Sequence, residues 1–234
     1  MADLLNFIPP PHPKNIILDG RLIRLAPLNA EQHAELLFYA NTQDGGAENW
    51  TYLPYGPFET VSAYAEWLQP LQTSDDPCFF TLIRKADNRP VGVASYLRIS
   101  PKDGSIEVGH IHFSPLLQQT TEATEAMYLM MKWAFEAGYR RYEWKCNARN
   151  AKSRGAAQRL GLSYEGVFRQ ATISKGENRD TAWFAAIDSE WPALEKAFTA
   201  YLQDANFRPD GRPKVSLTQL TKPVLYKQDN SEFM

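Results

Sequence analysis

The sequence has few cysteines, no excess of charge of one sign and no long apolar run. Cys78 and Cys146 are too few for a disulfide framework among 234 residues, so we expect a reducing, cytoplasmic location. A net charge of −2 argues against strong electrostatic binding to nucleic acid or to an anionic membrane. No apolar stretch approaches the ~20 residues that span a bilayer, and the N-terminal segment lacks the basic start of a signal peptide. Neither nucleic acid nor membrane is therefore expected as a partner.

The composition predicts an ordinary globular protein. Hydrophobic residues make up 44% of the chain and charged residues 22%, and the length allows one domain with a sizeable core. Prolines in residues 1–15 predict an extended N-terminal arm, followed by a single domain over 16–204 and a C-terminal extension over 205–234. No Gly-x-x-x-x-Gly-Lys-Ser/Thr motif is present, which argues against phosphate transfer on a P-loop.

Hydrophobic periodicity and turn residues predict an α+β (mixed α/β) fold. Helices are expected near 29–40, 60–71, 123–135, 150–160 and 190–202. Strands are expected near 16–27, 79–84, 91–99, 105–113, 141–147, 164–173 and 180–187, with a possible short strand at 224–226. The three central strands follow one another directly, which indicates a meander with turns at Asp87-Asn88 and Asp103-Gly104.

A strand, a short loop and an amphipathic helix occupy residues 107–135. One helical stripe carries Ala123, Ala126, Met127, Met130, Met131, Ala134 and Phe135. A loop that ends at a helix start presents unpaired backbone N–H groups and the positive end of the helix dipole. This unit therefore predicts a site for a phosphate or a pyrophosphate.

The segment Asn150-Ala151-Lys152-Ser153 opens the next helix. Ser153 lies on the same stripe as Ala157 and Leu160, so a polar group interrupts an inward-facing row. The alternative is a first-turn serine that bonds its own backbone. Asn150 is a good N-cap, and Arg154 is expected to be an exposed helix arginine.

These segments resemble the GNAT superfamily of acyl-CoA-dependent N-acyltransferases, and within it the branch of the ribosomal-protein N-terminal acetyltransferases. The resemblance covers roughly residues 16–188. It is carried by Asp19-Gly20-Arg21-Leu22-Ile23-Arg24-Leu25, Trp50-x-Tyr52-Leu53, Pro57-Phe58, Glu107-Val108-Gly109, Thr124-Glu125-Ala126, Asn150-x-x-Ser153, Leu160-Gly161-Leu162, Tyr164-Glu165-Gly166 and Arg169.

The resemblance implies a GNAT-like central sheet, mixed but mostly antiparallel and flanked by helices, with acetyl-CoA as cosubstrate. The residues that it implies for acetyl-CoA binding are Phe113, Ser114, Gln118, Gln119, Thr120, Thr121, Glu122, Ala123, Thr124, Asn150 and Ser153. The loop departs from the family pattern Gln/Arg-x-x-Gly-x-Gly/Ala. Thr121 stands at the first glycine, and Glu122 adds a negative charge beside the expected pyrophosphate.

Two residues are candidates for the acid–base chemistry. Glu107 lies in an apolar strand, where desolvation favours a useful base; the alternative is a surface carboxylate on an edge strand. By the resemblance, Ser153 faces the thioester and donates a proton to the leaving thiolate. His110 and His112 form an H-x-H pair without a convincing third ligand, so no metal is expected.

The predicted activity is acetyl transfer to a primary amine, either a protein N-terminus or a small amine. No activated nucleophile is visible, so the transfer is expected to be direct, in a ternary complex. Trp50, Tyr52 and Tyr55 either wall the amine pocket or simply pack. The glycine-less loop keeps an alternative open: a catalytically inactive protein of the same fold that senses CoA or binds a partner. The last strand and the tail from Asn206 make a homodimer possible.

Overall fold

A computed structural model describes residues 5–43 and 46–230. The helices are α1 (Ala30–Asn41), α2 (Val61–Leu71), α3 (Thr121–Glu136), α4 (Ala151–Arg159), α5 (Trp191–Leu202) and α6 (Leu217–Thr221). The strands are β1 (Leu18–Asp19), β2 (Ile23–Pro27), β3 (Cys78–Arg84), β4 (Arg89–Ser100), β5 (Ser105–Phe113), β6 (Arg141–Asn147), β7 (Ser163–Ser174) and β8 (Glu177–Ile187).

The strands form one sheet in the order β1-β2-β3-β4-β5-β6-β8-β7. Only β5 and β6 are parallel, and every other neighbouring pair is antiparallel. The predicted mixed, mostly antiparallel sheet flanked by helices is confirmed. The meander is β3-β4-β5, as expected from its two turns.

Two strand predictions need correction. The segment 16–27 is a tight hairpin of β1 and β2 rather than one strand. The possible strand at 224–226 is wrong: Lys222–Val224 form a 3-10 turn, with Pro223 as its second residue, and Leu225 N–H closes it onto the Lys222 carbonyl. Tyr226 N–H then donates to the Ser163 hydroxyl instead of to a strand.

Side-chain caps set the starts of the main helices. Asn29, Thr60, Thr120 and Asn150 each accept a hydrogen bond from the backbone N–H three residues on. The predicted caps Asn29 and Asn150 are thus confirmed. Helix α3 begins two residues before its apolar stripe, since Thr120 Oγ1 accepts from Ala123 N–H at 3.1 Å. Every residue of that stripe is buried.

The helices cover both faces of the sheet. Helices α3, α4 and α5 share the main core with one face, around Met130, Phe184 and Phe198. Helices α1 and α2 build a smaller aromatic core on the other face, around Trp50 and Tyr64. We call these the α3–α4 face and the α1–α2 face. No helix in the described ranges is long and apolar enough to cross a bilayer.

Both chain extensions pack on the same chain. In the arm, Pro11 and Pro13 offer carbonyl oxygens to the Tyr139 hydroxyl and the Cys78 thiol, while residues 1–4 lie outside the described part. In the tail, α6 lies against α4 and α5, and Tyr164 N–H donates to the Lys227 carbonyl at 2.9 Å. Packing of the tail on a second chain stays a prediction.

Candidate functional site

The sheet opens between its two parallel strands. Pairing of β5 with β6 runs from Ser105 opposite Arg141 to Val108 opposite Trp144, and stops there. Strand β5 continues to Phe113 and β6 to Asn147, so the β5 edge beyond Val108 has no strand partner on this side among the described residues. Backbone groups on such an edge can pair with an extended ligand.

A bulge lies beside this opening. The register of β4 with β5 shifts between Val93 and Ser95, and His110 takes a left-handed backbone with φ of 48°. The bulge turns the His110 side chain to the α1–α2 face, where its ring lies 5.2 Å from that of Phe79. The opening therefore lies between helix N-termini on one face and His110 on the other.

The loop before α3 is held by its own side chains. Gln118 Nε2 donates to the Phe113 carbonyl at 2.9 Å and to Asn49 Oδ1 at 2.6 Å. Gln119 takes the left-handed conformation, with φ of 60°, that glycine adopts most easily, although Thr121 stands in the glycine position of the sequence pattern. The bend is therefore made two residues earlier than the motif suggests.

The first turn of α3 keeps free donors. Thr120 caps Ala123 N–H, whereas the N–H groups of Thr121 and Glu122 meet no acceptor in the part of the chain that the structure describes. Asp87 raises the pKa of Arg84 by a hydrogen bond, and Glu122 adds to the rise by its charge. Glu122 thus lies within electrostatic reach of Arg84, whose guanidinium is already paired with Asp87.

The residues present fit a phosphate and an extended amide arm. Ser114, at the end of the open β5 edge, is fully buried, and its Oγ has no partner among the described residues. A buried unpaired hydroxyl is costly unless a water or a ligand satisfies it. The Ser114 hydroxyl is sealed from solvent, so the two free N–H groups at the start of α3 offer the polar contacts on this side of the opening.

Helix α4 supplies the other side. Asn150 Oδ1 accepts from Ser153 N–H at 3.0 Å, and Trp144 Nε1 donates to Ser153 Oγ at 3.0 Å. The described contacts of Ser153 Oγ are thus to side chains rather than to its own helix backbone, and it lies beside the last paired residue of β6. At the other end of α4, Arg159 Nη1 donates to Thr124 Oγ1 at 3.2 Å and links the helix to α3.

Arg154 is not the exposed helix arginine expected from sequence. Its side chain is buried and pairs with Asp229, 75 residues away, through two hydrogen bonds of 2.7 Å. A partner so distant in sequence gives no local signal.

Glu107 is buried and ion-paired rather than a surface carboxylate. Arg98 donates hydrogen bonds to its carboxylate from Nε at 2.6 Å and from Nη2 at 3.0 Å. Lys145 Nζ forms an ion pair with the same carboxylate at 2.8 Å. Lys145 is itself buried over the Trp183 ring. Sequence reasoning took Lys145 as a possible wall of the amine pocket and paired neither cation with Glu107, because the register of the sheet brings Arg98 from β4 and Lys145 from β6. The role of Glu107 as base stays a prediction.

The aromatic loop reaches across the opening. Trp50 is buried as packing, its ring 3.8 Å from that of His112, whereas the half-exposed Tyr52 hydroxyl donates to the Arg149 carbonyl at 3.2 Å. Tyr55 Oη lies 2.9 Å from His110 Nδ1. Of the three aromatics, Tyr52 and Tyr55 thus border the site.

The cysteines carry no sign of nucleophilic activation. Burial raises the pKa of the Cys146 thiol to about 11, against a smaller opposite effect of its hydrogen bond with Ser153. Burial likewise raises the pKa of Cys78 to about 11. A thiol of such high pKa is a poor nucleophile at neutral pH. Among the described residues, no cluster of three His, Cys, Asp or Glu side chains could hold a metal.

His112 makes the protein sensitive to acid. Burial lowers its pKa from 6.5 to about 3, so between these values the unfolded chain binds the proton that the folded chain rejects. Stability therefore falls as the pH drops, by about 2–3 kcal/mol between pH 6.5 and 4.5.

We expect His112→Phe to reduce this pH dependence of the free energy of unfolding, measured by urea unfolding at the two pH values, with His12→Gln as control. An unchanged slope in His112→Phe would contradict the assignment.

The fold and the site define a class of protein with a split mixed sheet and helix N-termini at its opening. Comparison with known proteins shows to which family of that class the chain belongs. The family model described as "Acetyltransferase (GNAT) domain" matches residues 22–163. The chain belongs to the GNAT acetyltransferase family, whose members transfer an acyl group from acetyl-CoA. A search of curated proteins finds no match.

Solved structures agree with this family. A GCN5-related N-acetyltransferase from Brucella melitensis is 43% identical with a TM-score of 0.90, over 93% of this chain and 99% of that one. Two more distant structures share the fold. RimL, a ribosomal L7/L12 alpha-N-protein acetyltransferase, is 19% identical with a TM-score of 0.62, over 74% of this chain and 94% of that one. The structure of the microcin C7 self-immunity acetyltransferase MccE is a complex with acetyl-CoA and AMP. It is 20% identical with a TM-score of 0.62, over 72% of this chain and 93% of that one.

Proposed function

We propose that this protein is an acetyl-CoA-dependent N-acetyltransferase that acetylates a primary amine directly, in a ternary complex. The observation that carries the proposal is the unpaired β5 edge from Gly109 to Phe113, which lies between the first turns of α3 and α4. The acceptor is a protein N-terminus or a small amine. A cytoplasmic location and a homodimer stay predictions.

The residues around the opening suit the two halves of acetyl-CoA. The free N–H groups of Thr121 and Glu122, with the dipole of α3, suit a pyrophosphate, and Gln118, Gln119, Thr120, Ala123 and Thr124 shape that turn. The unpaired edge of β5 up to Phe113 suits the amides of the pantetheine arm, whereas the Ser114 N–H already donates to the Val91 carbonyl at 3.0 Å. Asn150 and Ser153 border the arm from α4.

Direct transfer requires a neutral amine and a protonated leaving group. An amine of pKa ~10 is mostly protonated at neutral pH and attacks only after it has lost a proton. In this proposal Ser153, whose Oγ accepts a hydrogen bond from Trp144 Nε1, donates a proton to the departing thiolate. Both cysteines are buried with raised pKa values, which favours attack by the amine itself over a covalent enzyme intermediate.

Calorimetric titration of the full chain with acetyl-CoA and with CoA tests the proposal. We expect micromolar binding of both, followed by acetyl transfer to members of a panel of peptides with free N-termini and small primary amines. Absence of acetyl-CoA binding would overturn the proposal. Tight binding without transfer to any panel member would favour the alternative, a CoA-sensing or partner-binding protein, which the glycine-less loop Gln118–Ala123 keeps open.

Ser153→Ala tests the proton donor. We expect turnover to fall about 10²-fold or more, because a positioned acid contributes at least that factor, while acetyl-CoA affinity stays within a few-fold. Lys152→Ala, an exposed neighbour on the same turn, serves as control and should keep wild-type turnover. Unchanged turnover in Ser153→Ala would remove the hydroxyl from the mechanism.

A further inference from the structure

We propose that His110 is the base that accepts the proton of the attacking amine, and that Tyr55 positions its ring; this inference rests on the proposed function. The carboxylate of Glu107 then acts on the charge of His110 rather than on the substrate. Four observations support this assignment: the place of His110 at the opening, the accessibility of its ring, the occupation of Glu107 and the hydrogen bond with Tyr55.

His110 lies where an acceptor would enter. It follows Val108, the last β5 residue paired with β6, by two positions, and the bulge turns it to the α1–α2 face. The helix starts that suit acetyl-CoA lie on the α3–α4 face, which also holds Trp144 and the Ser153 hydroxyl. An amine on the His110 side therefore meets the thioester from the face opposite to the proposed thiolate donor.

The two histidines of the H-x-H pair differ in access. Both ring nitrogens of His112 are sealed from solvent without partners among the described residues. His110 is only half-buried; its Nδ1 contacts Tyr55, and its Nε2 is neither sealed in this way nor hydrogen-bonded within the described chain. Only His110 can thus offer a nitrogen to a substrate.

Glu107 has its oxygens occupied. Three N–H groups of Arg98 and Lys145 point at its carboxylate, all within 3.0 Å. Both carboxylate oxygens are thus held by Arg98 and Lys145 instead of being offered to a substrate. The charge of Glu107 still acts on His110 and favours its protonation.

His110 is neutral in the resting protein. Burial is the main cause that lowers its pKa, and the charges of Arg98 and Arg179 lower it further. Glu107 and Asp76 act in the opposite direction. A neutral imidazole at neutral pH has a lone pair ready for a proton.

Tyr55 selects the useful tautomer in this proposal. Burial raises the pKa of Tyr55, so the phenol stays protonated and its oxygen can accept from Nδ1–H of His110. The lone pair then lies on Nε2, facing the substrate. After proton uptake Nδ1–H still donates to Tyr55, so the imidazolium keeps this hydrogen bond.

The proposed step balances. The lone pair of the amine forms the C–N bond, the C–S bond breaks with its electron pair going to sulfur, and the amine N–H proton moves to His110 Nε2. Sulfur takes a proton from Ser153, which recovers one from water. His110 releases its proton to solvent before the next turnover.

The main experiment compares the pH profiles of kcat/KM for wild type, His110→Gln, Glu107→Gln and the control His33→Gln, with the amine accepted by wild type. We expect His110→Gln to lose about 10²-fold or more at neutral pH, at unchanged acetyl-CoA affinity. For wild type, kcat/KM should fall as the pH drops below 6.5, and we call this fall the acid limb of the profile. Glu107→Gln should move that limb to lower pH, because it removes the charge that favours protonation of His110.

Two further measurements keep the test decisive if a variant folds poorly. Imidazole in solution should restore part of the activity of His110→Ala, which a structural role would not allow. In the nitrogen NMR spectrum of wild type, His110 should carry its proton on Nδ1 above pH 7, and Tyr55→Phe should weaken that preference.

Three results would overturn the inference while leaving the proposed function intact. They are near-wild-type activity in His110→Gln, an acid limb that disappears in Glu107→Gln but persists in His110→Gln, and a proton on Nε2 of resting His110. Failure of wild type to bind acetyl-CoA or to acetylate any amine would overturn both the function and the inference.

Discussion

Glu125→Ala is expected to lower the free energy of unfolding by about 3–5 kcal/mol, since it removes the acceptor of three backbone donors at once, one buried and two part-buried. The carboxylate of Glu125 accepts the backbone N–H groups of Arg21, Leu22 and Ile23, at 3.0, 2.6 and 2.9 Å. Glu125 is only 5% exposed, so water reaches these groups poorly once the side chain is gone.

The close fit of the β1–β2 turn against α3 explains why no other side chain can replace the Glu125 carboxylate as acceptor. The turn between β1 and β2 lies directly against this carboxylate, and a Cβ on Gly20 would approach Glu125 Oε2 to 2.7 Å. Glycine is thus required at position 20 by close contact. Loss of the carboxylate detaches the β1–β2 turn from α3, whose first turn borders the proposed acetyl-CoA site.

Urea unfolding of the full chain measures the effect, with Glu122→Ala as control. Glu122 lies on the first turn of the same helix but is half-exposed, so its substitution should change stability by no more than about 0.5 kcal/mol. Glu125→Gln, which keeps one acceptor oxygen, should fall between wild type and Glu125→Ala. Equal stability of Glu125→Ala and wild type would show that the three bonds contribute nothing net.

Asp229→Ala is expected to cost about 3–5 kcal/mol as well, because it removes a carboxylate that makes two hydrogen bonds with the buried guanidinium of Arg154. The side chains of Arg154 and Asp229 are 5% and 0% exposed, and Arg154 Nη1 also donates to the Ala148 carbonyl. For a chain of this length the loss corresponds to a fall in Tm of about 6–20 °C.

An exposed pair provides the control for this prediction. Asp210 lies 4.0 Å from Arg212, and their side chains are 56% and 83% exposed, so Asp210→Ala should leave Tm within about 2 °C. Thermal unfolding followed by circular dichroism compares the two variants. A fall for Asp229→Ala no larger than that for Asp210→Ala would mean that water or another group satisfies Arg154 in the variant.

Local patterns account for the part of the fold that sequence predicts. The apolar stripe of α3 repeats with the helical period, and Asn29 and Asn150 cap helices through bonds to residues three positions away. The turns of the meander join strands that are neighbours in sequence. The order and spacing of these elements support the GNAT resemblance, which the family match over residues 22–163 confirms.

Contacts between distant segments account for what sequence leaves open. Glu107 stands out in its strand from sequence alone, yet its partner Lys145 comes from β6 through the parallel register. The bulge at His110 and the pairing of Arg154 with Asp229 likewise join residues without any local pattern. The sequence by itself determined helices α1 to α5, most strands and the family, but not the short helix α6, because periodicity and capping act over a few residues. Only the tertiary structure decided which charges meet and which histidine reaches the opening, because these depend on strand register and chain packing over tens of residues.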